Sequence, residues 1–480
     1  MDCHDRESGS STALRVRLLT AASPSHLPAT QVVGPGAANY TSSGASRGVD
    51  VQNPKHTSSA TVRPSEPHTM TSIDEPNIFV AGSLAVDFAC DYTPLASGAP
   101  SSPATQTSNP AQITQSLGGV GHNVARSIQL LGGNVRLCSA VGNDLSGKAA
   151  LDAMKAEGLM NNSIQILEGA RTAQYVAVND IQKDLVLAMA DVAILRSSTD
   201  SKKAAPSAIE KTFDDFWHPQ LKQARPANIV VDANWEPDML ARWFTAAKAL
   251  SSRVSFEPVS TAKATGIFSM PKSTDLSVWP KPLIDLTAPN AYELAALQSA
   301  ARDKGFLDRD DWWQVIDALG ISNAGMRAQL VLATNSSLVD SGTPQQSIQL
   351  LPFIPQILTK LGSRGVLLTQ IIPAGDPRLT SGEYAPYILS RCTNGTEGTT
   401  GVGGLYMRLF PPVEKVSDDD IASVNGVGDT FLGAIIAGMQ KRGRDARVED
   451  VVDFAQQAAV LTLKSKEAVS PGISSLKSLM

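Results

Sequence analysis

Three features of the sequence predict an α/β domain of three layers with a mostly parallel central sheet. Short apolar runs of strand length recur along the chain, helix-like stretches separate them, and glycine-rich turns sit where one hands over to the next. Ile78-Phe79-Val80-Ala81, stopped by Gly82, opens the ordered part as a buried strand. Val135–Val141 reads as another strand, Ala149–Glu157 as a helix closed by Gly158, and Ile229–Asp232 as a further strand. Leu283–Leu286, Gly365–Gln370 and Phe431–Gln440 continue the alternation. Gln174–Val178 and Leu185–Met189 flank the polar turn Asn179–Lys183, which predicts an antiparallel hairpin carried as an appendage or lid. Polar or irregular stretches near 96–110, 197–226, 262–282, 335–350 and 373–408 are expected to interrupt the core. Within the last, the glycine-rich Thr393–Gly404 reads as a flexible surface loop.

Composition narrows the function. The 480 residues carry 41 basic and 46 acidic side chains, a formal charge of −5, so no global cationic field is present to hold nucleic acid or an anionic membrane. A hydrophobic content of 42% suffices for a large core. Apolar stretches such as Val186–Leu195 are short and interrupted by Asp191, too little to span a bilayer. Residues 1–72 are rich in Ser, Thr, Pro and Gly, with Tyr40 the only aromatic, and predict a disordered tail. Asp2, Asp5 and Glu7 argue against a transit peptide there. Cys3, Cys90, Cys138 and Cys392 form no CxxC pair and read as reduced thiols of a cytoplasmic protein. His4, His26, His56 and His68 lie in the tail, leaving His122 and His218, and no spacing resembles a zinc site.

Three glycine loops compete for a phosphate. Gly142–Ala149 satisfies GxxxxGK, but Ala149 replaces the hydroxyl residue that would bind Mg²⁺, which favours an ordinary turn. Gly118-Gly119-Val120-Gly121-His122-Asn123 leads into a helix with Val124, Ile128 and Leu131 on one face, yet Val124 stands where a dinucleotide fingerprint needs its third glycine. Asn425-Gly426-Val427-Gly428-Asp429-Thr430 runs into an apolar helix whose bare first amides and dipole make an anion site. A carboxylate in an anion site makes sense if Asp429 faces a hydroxyl it must deprotonate beside a phosphoryl group; the alternative is that it caps the helix.

The second and third loops together resemble the two signatures of the ribokinase-like (PfkB) carbohydrate kinase family. Gly118, Gly119, Gly121, Asn123, Ala125, Gly132 and Gly142 stand at the spacing of the first, and Ser423–Ile436 carries the second, with Val427 where the family usually has Ala, Ser or Gly. Between them, Pro289-Asn290-Ala291-Tyr292-Glu293 looks like the PNxxE element and Leu361-Gly362-Ser363-Arg364-Gly365 like the nucleotide-contacting turn. Gly82–Asp87, Gly119–Ala125 and Val424–Asp429 are especially similar to the pseudouridine kinase branch, as found in the kinase half of fungal bifunctional proteins.

The resemblance implies a ribokinase-like domain over 73–480 with a small β lid at about 83–95 and 172–191, a cytoplasmic enzyme moving the γ-phosphoryl group of ATP to a sugar 5′-hydroxyl. Asp429 would be the base, with Gly426, Val427 and Gly428 stabilising the transferring group. Asp87, Gly118, Gly119 and Asn123 would hold the sugar. Asn290, Gly362, Arg364, Gly365 and Gly428 would lie along ATP, and Asn290 and Glu293 would act on Mg²⁺ through water. Asp191 and His122 are further candidates, His122 for the base or as a satisfied packing histidine. The resemblance allows a homodimer and a separate pseudouridine-5′-phosphate glycosidase consuming the product. The choice of pseudouridine rests on resemblance alone; another sugar or nucleoside kinase, or an inactive binding protein of the same fold, are the alternatives. A P-loop NTPase built on Gly142–Lys148 is a further rival.

Overall fold

The computed structural model describes residues 77–480 apart from 96–97, 99, 197–207, 275, 322–324, 393–396 and 444; the tail predicted over 1–72 lies outside them. In β1 (Ile78–Ala81), Ile78 and Val80 join one apolar core while Phe79 and Ala81 join another on the opposite face. Burial on both faces is why this strand reads as an unbroken apolar run rather than an alternating one.

The other strands are β2 (Ala85–Tyr92), β3 (Ala111–Gly118), β4 (Val135–Gly142), β5 (Ile164–Leu167), β6 (Ala173–Asn179), β7 (Leu185–Asp191), β8 (Asn228–Asp232), β9 (Arg253–Glu257), β10 (Leu286–Thr287), β11 (Gln356–Lys360), β12 (Val366–Pro373), β13 (Ile388–Arg391) and β14 (Val402–Phe410). Ten of them form one sheet in the order β13-β14-β12-β11-β10-β9-β8-β1-β4-β5. Pairing is parallel from β5 through β11 and antiparallel from β11 to β13. The four remaining strands make a separate small sheet, β3-β2-β6-β7, in which only the central pair is parallel.

Helices cover both faces of the large sheet. On one side lie α1 (Val120–Leu130), α2 (Leu145–Ala156), α4 (Val427–Arg442) and α5 (Val452–Leu463), while α3 (Ala291–Asp303) packs on the other face with the Pro237–Ala249 helix. Because the parallel strands point the same way, the turns after β1, β8, β9, β10 and β11 gather at one edge, where open α/β sheets place their ligands.

Several expectations are corrected. Val402–Phe410 is an almost wholly buried strand between β12 and β13, so the glycine-rich segment is no surface loop at its C-terminal end. A Cβ on Gly403 or Gly404 would meet the carbonyl oxygens of Pro373 or Ser390 at 2.4 Å, so glycine there marks crowding. The irregular stretch near 335–350 is helical over Ser336–Asp340 and Thr343–Leu350, with Asn335 accepting from the Leu338 amide at 2.9 Å. Residues 208–224 form a helical run that widens into a π turn at Phe213–Trp217, just before Pro219, whose missing N–H such a turn tolerates. The strand β3 was not foreseen, because its residues are mostly polar and exposed.

Candidate active site

The turn after β1 is fixed from below. Buried Asp232, at the end of β8, accepts hydrogen bonds from the Ser83 amide at 2.7 Å, the Ser83 hydroxyl at 3.1 Å and the Asn234 amide at 2.9 Å. The same Ser83 Oγ accepts from the Val120 amide at 2.9 Å, satisfying one of the bare amides at the start of α1. Burial raises the Asp232 carboxyl against the pull of these hydrogen bonds.

Beside this turn, β2 and β3 pair so that Asp87 lies over Gly118: a Cβ on Gly118 would come within 1.9 Å of Asp87 Oδ2. Only a glycine lets the carboxylate sit there. The Asp87 carboxylate makes no hydrogen bond among the described residues, and burial pushes it up to about 6, with the charge of His122 pulling the other way. A largely desolvated carboxylate lacking partners suits hydroxyl donors.

From Gly119 the chain passes straight into α1, and the buried Asn123 on its first turn donates through Nδ2 to Asp429 Oδ2 at 2.8 Å. Asp429 is the third residue of α4; the N-cap is Gly426, and no side chain caps that end. The helix-cap alternative therefore fails on position. Gly426 has φ 70°, and a Cβ there would strike the Ala468 carbonyl oxygen at 1.9 Å, so the turn that bares the amides of Val427 and Gly428 requires glycine. Burial pushes Asp429 up to about 6; the Asn123 hydrogen bond and Lys360 oppose the shift, while Asp232 and Glu293 add to it. The helices are clamped together, since Ser127 Oγ donates to the Thr430 carbonyl at 3.1 Å.

Next to Asp429 opens a cleft of about 1020 Å³. Glu257, Asn290, Glu293, Lys360, Gly428 and Asp429 form its polar end, and Val413, Ile421, Val424, Val460 and Leu463 line the rest, as do Gly362, Ser363 and Gly365. Ile421 and Val424 are exposed, an apolar wall open to a flat ring. Arg364 is exposed and does not line the cleft. Asn290 and Glu293 form a capping box on α3: Asn290 Oδ1 accepts from the Tyr292 and Glu293 amides at 2.9 Å, and Glu293 Oε2 from the Asn290 amide at 2.8 Å.

Other candidates lie elsewhere. His122 is buried, with Nε2 2.8 Å from Glu157 Oε2 and Nδ1 3.3 Å from Asn123 Oδ1, the packing-histidine arrangement. Asp191 is paired with Arg171 at 2.7 Å. The Gly142–Lys148 turn has no room for a phosphate, because Asp144 accepts from the Gly147 and Thr172 amides at 2.7 and 2.9 Å and Lys148 is exposed. Sequence reasoning missed Asp232, Glu257 and Lys360. Asp232 and Glu257 end strands without any motif, but Lys360 stands one residue before the Leu361–Gly365 turn and was within reach.

The chain matches the pfkB family carbohydrate kinase profile over residues 76–331. A pseudouridine-metabolizing bifunctional protein of Schizosaccharomyces pombe is 29% identical over 374 residues, covering 77% of this chain and 44% of that protein; the chain spans less than half of that relative's length. The pseudouridine kinase of Escherichia coli is 34% identical over 92 residues, 19% of this chain and 29% of that protein. Among solved structures, ribokinase from Giardia lamblia shares the fold with a TM-score of 0.51 at 16% identity, covering 85% of this chain and 100% of that one.

Proposed function

The chain belongs to the pfkB family of carbohydrate kinases, and on that premise we propose that it moves the γ-phosphoryl group of ATP to the 5′-hydroxyl of pseudouridine. The observation that carries the reading is Asp429, a carboxylate raised to about 6, held by Asn123 at the amide-lined start of α4 and next to a nucleotide-sized cleft. A base poised near neutrality is suited to taking a proton from an alcohol as it attacks.

Asp87 binds the ribose diol, and Gly118 and Gly119 let the backbone close over the sugar. As the 5′-oxygen bonds to the γ-phosphorus, its proton passes to Asp429, the bond from that phosphorus to the β–γ bridging oxygen breaks, and ADP leaves with the electron pair. The amides of Val427 and Gly428 stabilise the charge on the transferring group. Asn123 is thereby a positioning residue for the base. The strands β6 and β7 act as a lid that keeps water from the phosphoryl group.

The polar end of the cleft suits Mg²⁺ that keeps its own waters. Among the described residues no three His, Cys, Asp or Glu side chains gather as direct ligands, and Glu293 Oε1 makes no hydrogen bond there. Asn290 and Glu293 would hold the hydrated ion, which supplies positive charge to the phosphates when bound. The names of two relatives favour pseudouridine over ribose, other nucleosides or ketoses. Its 5′-phosphate would pass to a glycosidase that cleaves the bond between sugar and base.

The test is ATP-dependent phosphorylation of pseudouridine, uridine, adenosine, ribose and fructose, with Asp429→Ala alongside. Turnover of pseudouridine, lost in the variant, is expected. Preference for another acceptor would keep the chemistry and overturn the substrate; nucleotide binding without turnover of any would overturn the activity.

A further inference from the structure

The polar end of the cleft contains a cation that the catalytic reading leaves without a task. Lys360 ends β11, its backbone amide bonded to the Pro289 carbonyl at 2.8 Å, so its stem is fixed between the Asn290 turn and the start of α4. A Cβ built on Gly428 would fall 2.8 Å from Lys360 Nζ, which puts the ammonium over the second residue of the amide-lined turn. Only 18% of the side chain is exposed. Its ion-pair partner among the described residues is Glu257, at 3.6 Å, too far for a hydrogen bond. Glu257 is itself buried, lines the same cleft, and its Oε2 has no hydrogen-bond partner. The other lysine lining the cleft, Lys415, is exposed on the far segment that carries Val413 and Val416.

A desolvated ammonium with loose contacts, set above helix amides, is placed for an anion. Burial pushes the Glu257 carboxyl up to about 8, so the pairing leaves the charge of the ammonium incompletely offset while the cleft is empty, and the bare Cα of Gly428 gives it room. We propose that Lys360 is a further catalytic residue, whose ammonium binds the terminal phosphates of ATP and offsets the charge that gathers on the β–γ bridging oxygen as the bond to the γ-phosphorus breaks. This rests on the nucleotide reading of the cleft. It predicts discrimination by phosphate-chain length, because a monophosphate does not extend as far toward Lys360.

The experiment is titration calorimetry of the full chain with AMP, ADP and a non-hydrolysable ATP analogue, followed by steady-state kinetics, on wild type, Lys360→Met, Lys360→Arg and Glu257→Gln. Lys360→Met should bind AMP as wild type does, lose ~10-fold or more of its affinity for the ATP analogue and lose ~10²-fold or more in kcat, with Lys360→Arg recovering part of both. Glu257→Gln should keep the preference for the longer phosphate chain. Analogue affinity and kcat within about threefold of wild type in Lys360→Met would overturn the inference alone. Equal losses in Glu257→Gln and Lys360→Met would also overturn it, leaving an ion pair that only maintains the fold. If Lys360→Met does not fold, Lys360→Gln takes its place. Wild-type protein that binds no nucleotide would overturn the reading of the cleft, and the inference with it.

Discussion

Acid should switch the enzyme off in a way that separates its two carboxylates. Asp429 and Asp87 are each pushed up to about 6, and in the proposed mechanism each works only when ionised, one as base and the other as acceptor of sugar hydroxyls. Both shifts are upward, so activity is present above pH 6 and lost as pH falls. At pH 5 a carboxyl of pKa 6 is only about 9% ionised. Two independent requirements in the free enzyme therefore leave ~1% of kcat/KM, a fall of ~100-fold, whereas a single one gives ~10-fold. Once sugar is bound, its hydroxyls keep Asp87 ionised, and kcat should follow Asp429 alone. On logarithmic axes the acid limb should approach slope two for kcat/KM and slope one for kcat. The measurement is direct quantitation of ADP by chromatography between pH 4.5 and 8.5, which avoids pH-sensitive coupling enzymes. Asp87→Asn, assayed over sugar concentrations from well below to above KM, should reduce the kcat/KM slope to one. A kcat that stays flat down to pH 5 would refute the assignment of Asp429 as base, and a kcat/KM slope of one in the wild type would refute the role of Asp87.

The same carboxylate should burden the fold. Since Asp429 holds its proton more tightly in the folded protein than in the unfolded chain, its contribution to stability falls as pH rises from about 4 through about 6. Asp429→Asn keeps an acceptor for Asn123 and should raise stability at pH 7.5 by roughly 1–3 kcal/mol while abolishing turnover, read by urea unfolding; a loss of stability would restore a structural role. A wedge between the helices should act without removing any reacting group. A Cβ on Gly433 would lie 2.6 Å from the Ser127 Cβ and 2.9 Å from the Val124 carbonyl oxygen. Gly433→Val should part α1 from α4, cost about 1–3 kcal/mol and reduce kcat ~10²-fold by moving Asn123 off Asp429. Unaltered kcat would mean that the pairing of these helices does not align the base.

The alternation of strands and helices was legible because β1, β4 and β8 are buried on both faces and read as apolar runs. Where burial did not write itself into hydrophobicity, the reading failed. Polar β3 passed unseen, and the glycines of β14 suggested mobility where neighbouring carbonyls leave no space for a side chain. The motifs and the family resemblance pointed to Asn123, Asn290, Glu293 and Asp429, which stand at the starts of helices entered through turns of particular residue types, and to Asp87 on β2. What a linear reading lacked was the direction of side chains: Asn123 faces Asp429 and His122 faces Glu157. Glu257 and Lys360 come from strands about a hundred residues apart and meet because β9 and β11 flank the two-residue strand β10.

The bond between Asn123 and Asp429 joins residues 306 positions apart, and the one between Ser127 and Thr430 joins residues 303 apart. The reacting geometry is thus among the last things the polypeptide can acquire. Closing such a loop costs entropy that rises only with the logarithm of its length, so the intervening segment tolerates long insertions with little penalty. The expense falls on time instead, because distant contacts must wait for the chain between them to collapse. A product ending at Ser423 would contain the residues of the proposed sugar cradle but neither Asp429 nor the amides beside it. In the proposed mechanism, turnover requires the segment carrying α4 to be docked against α1.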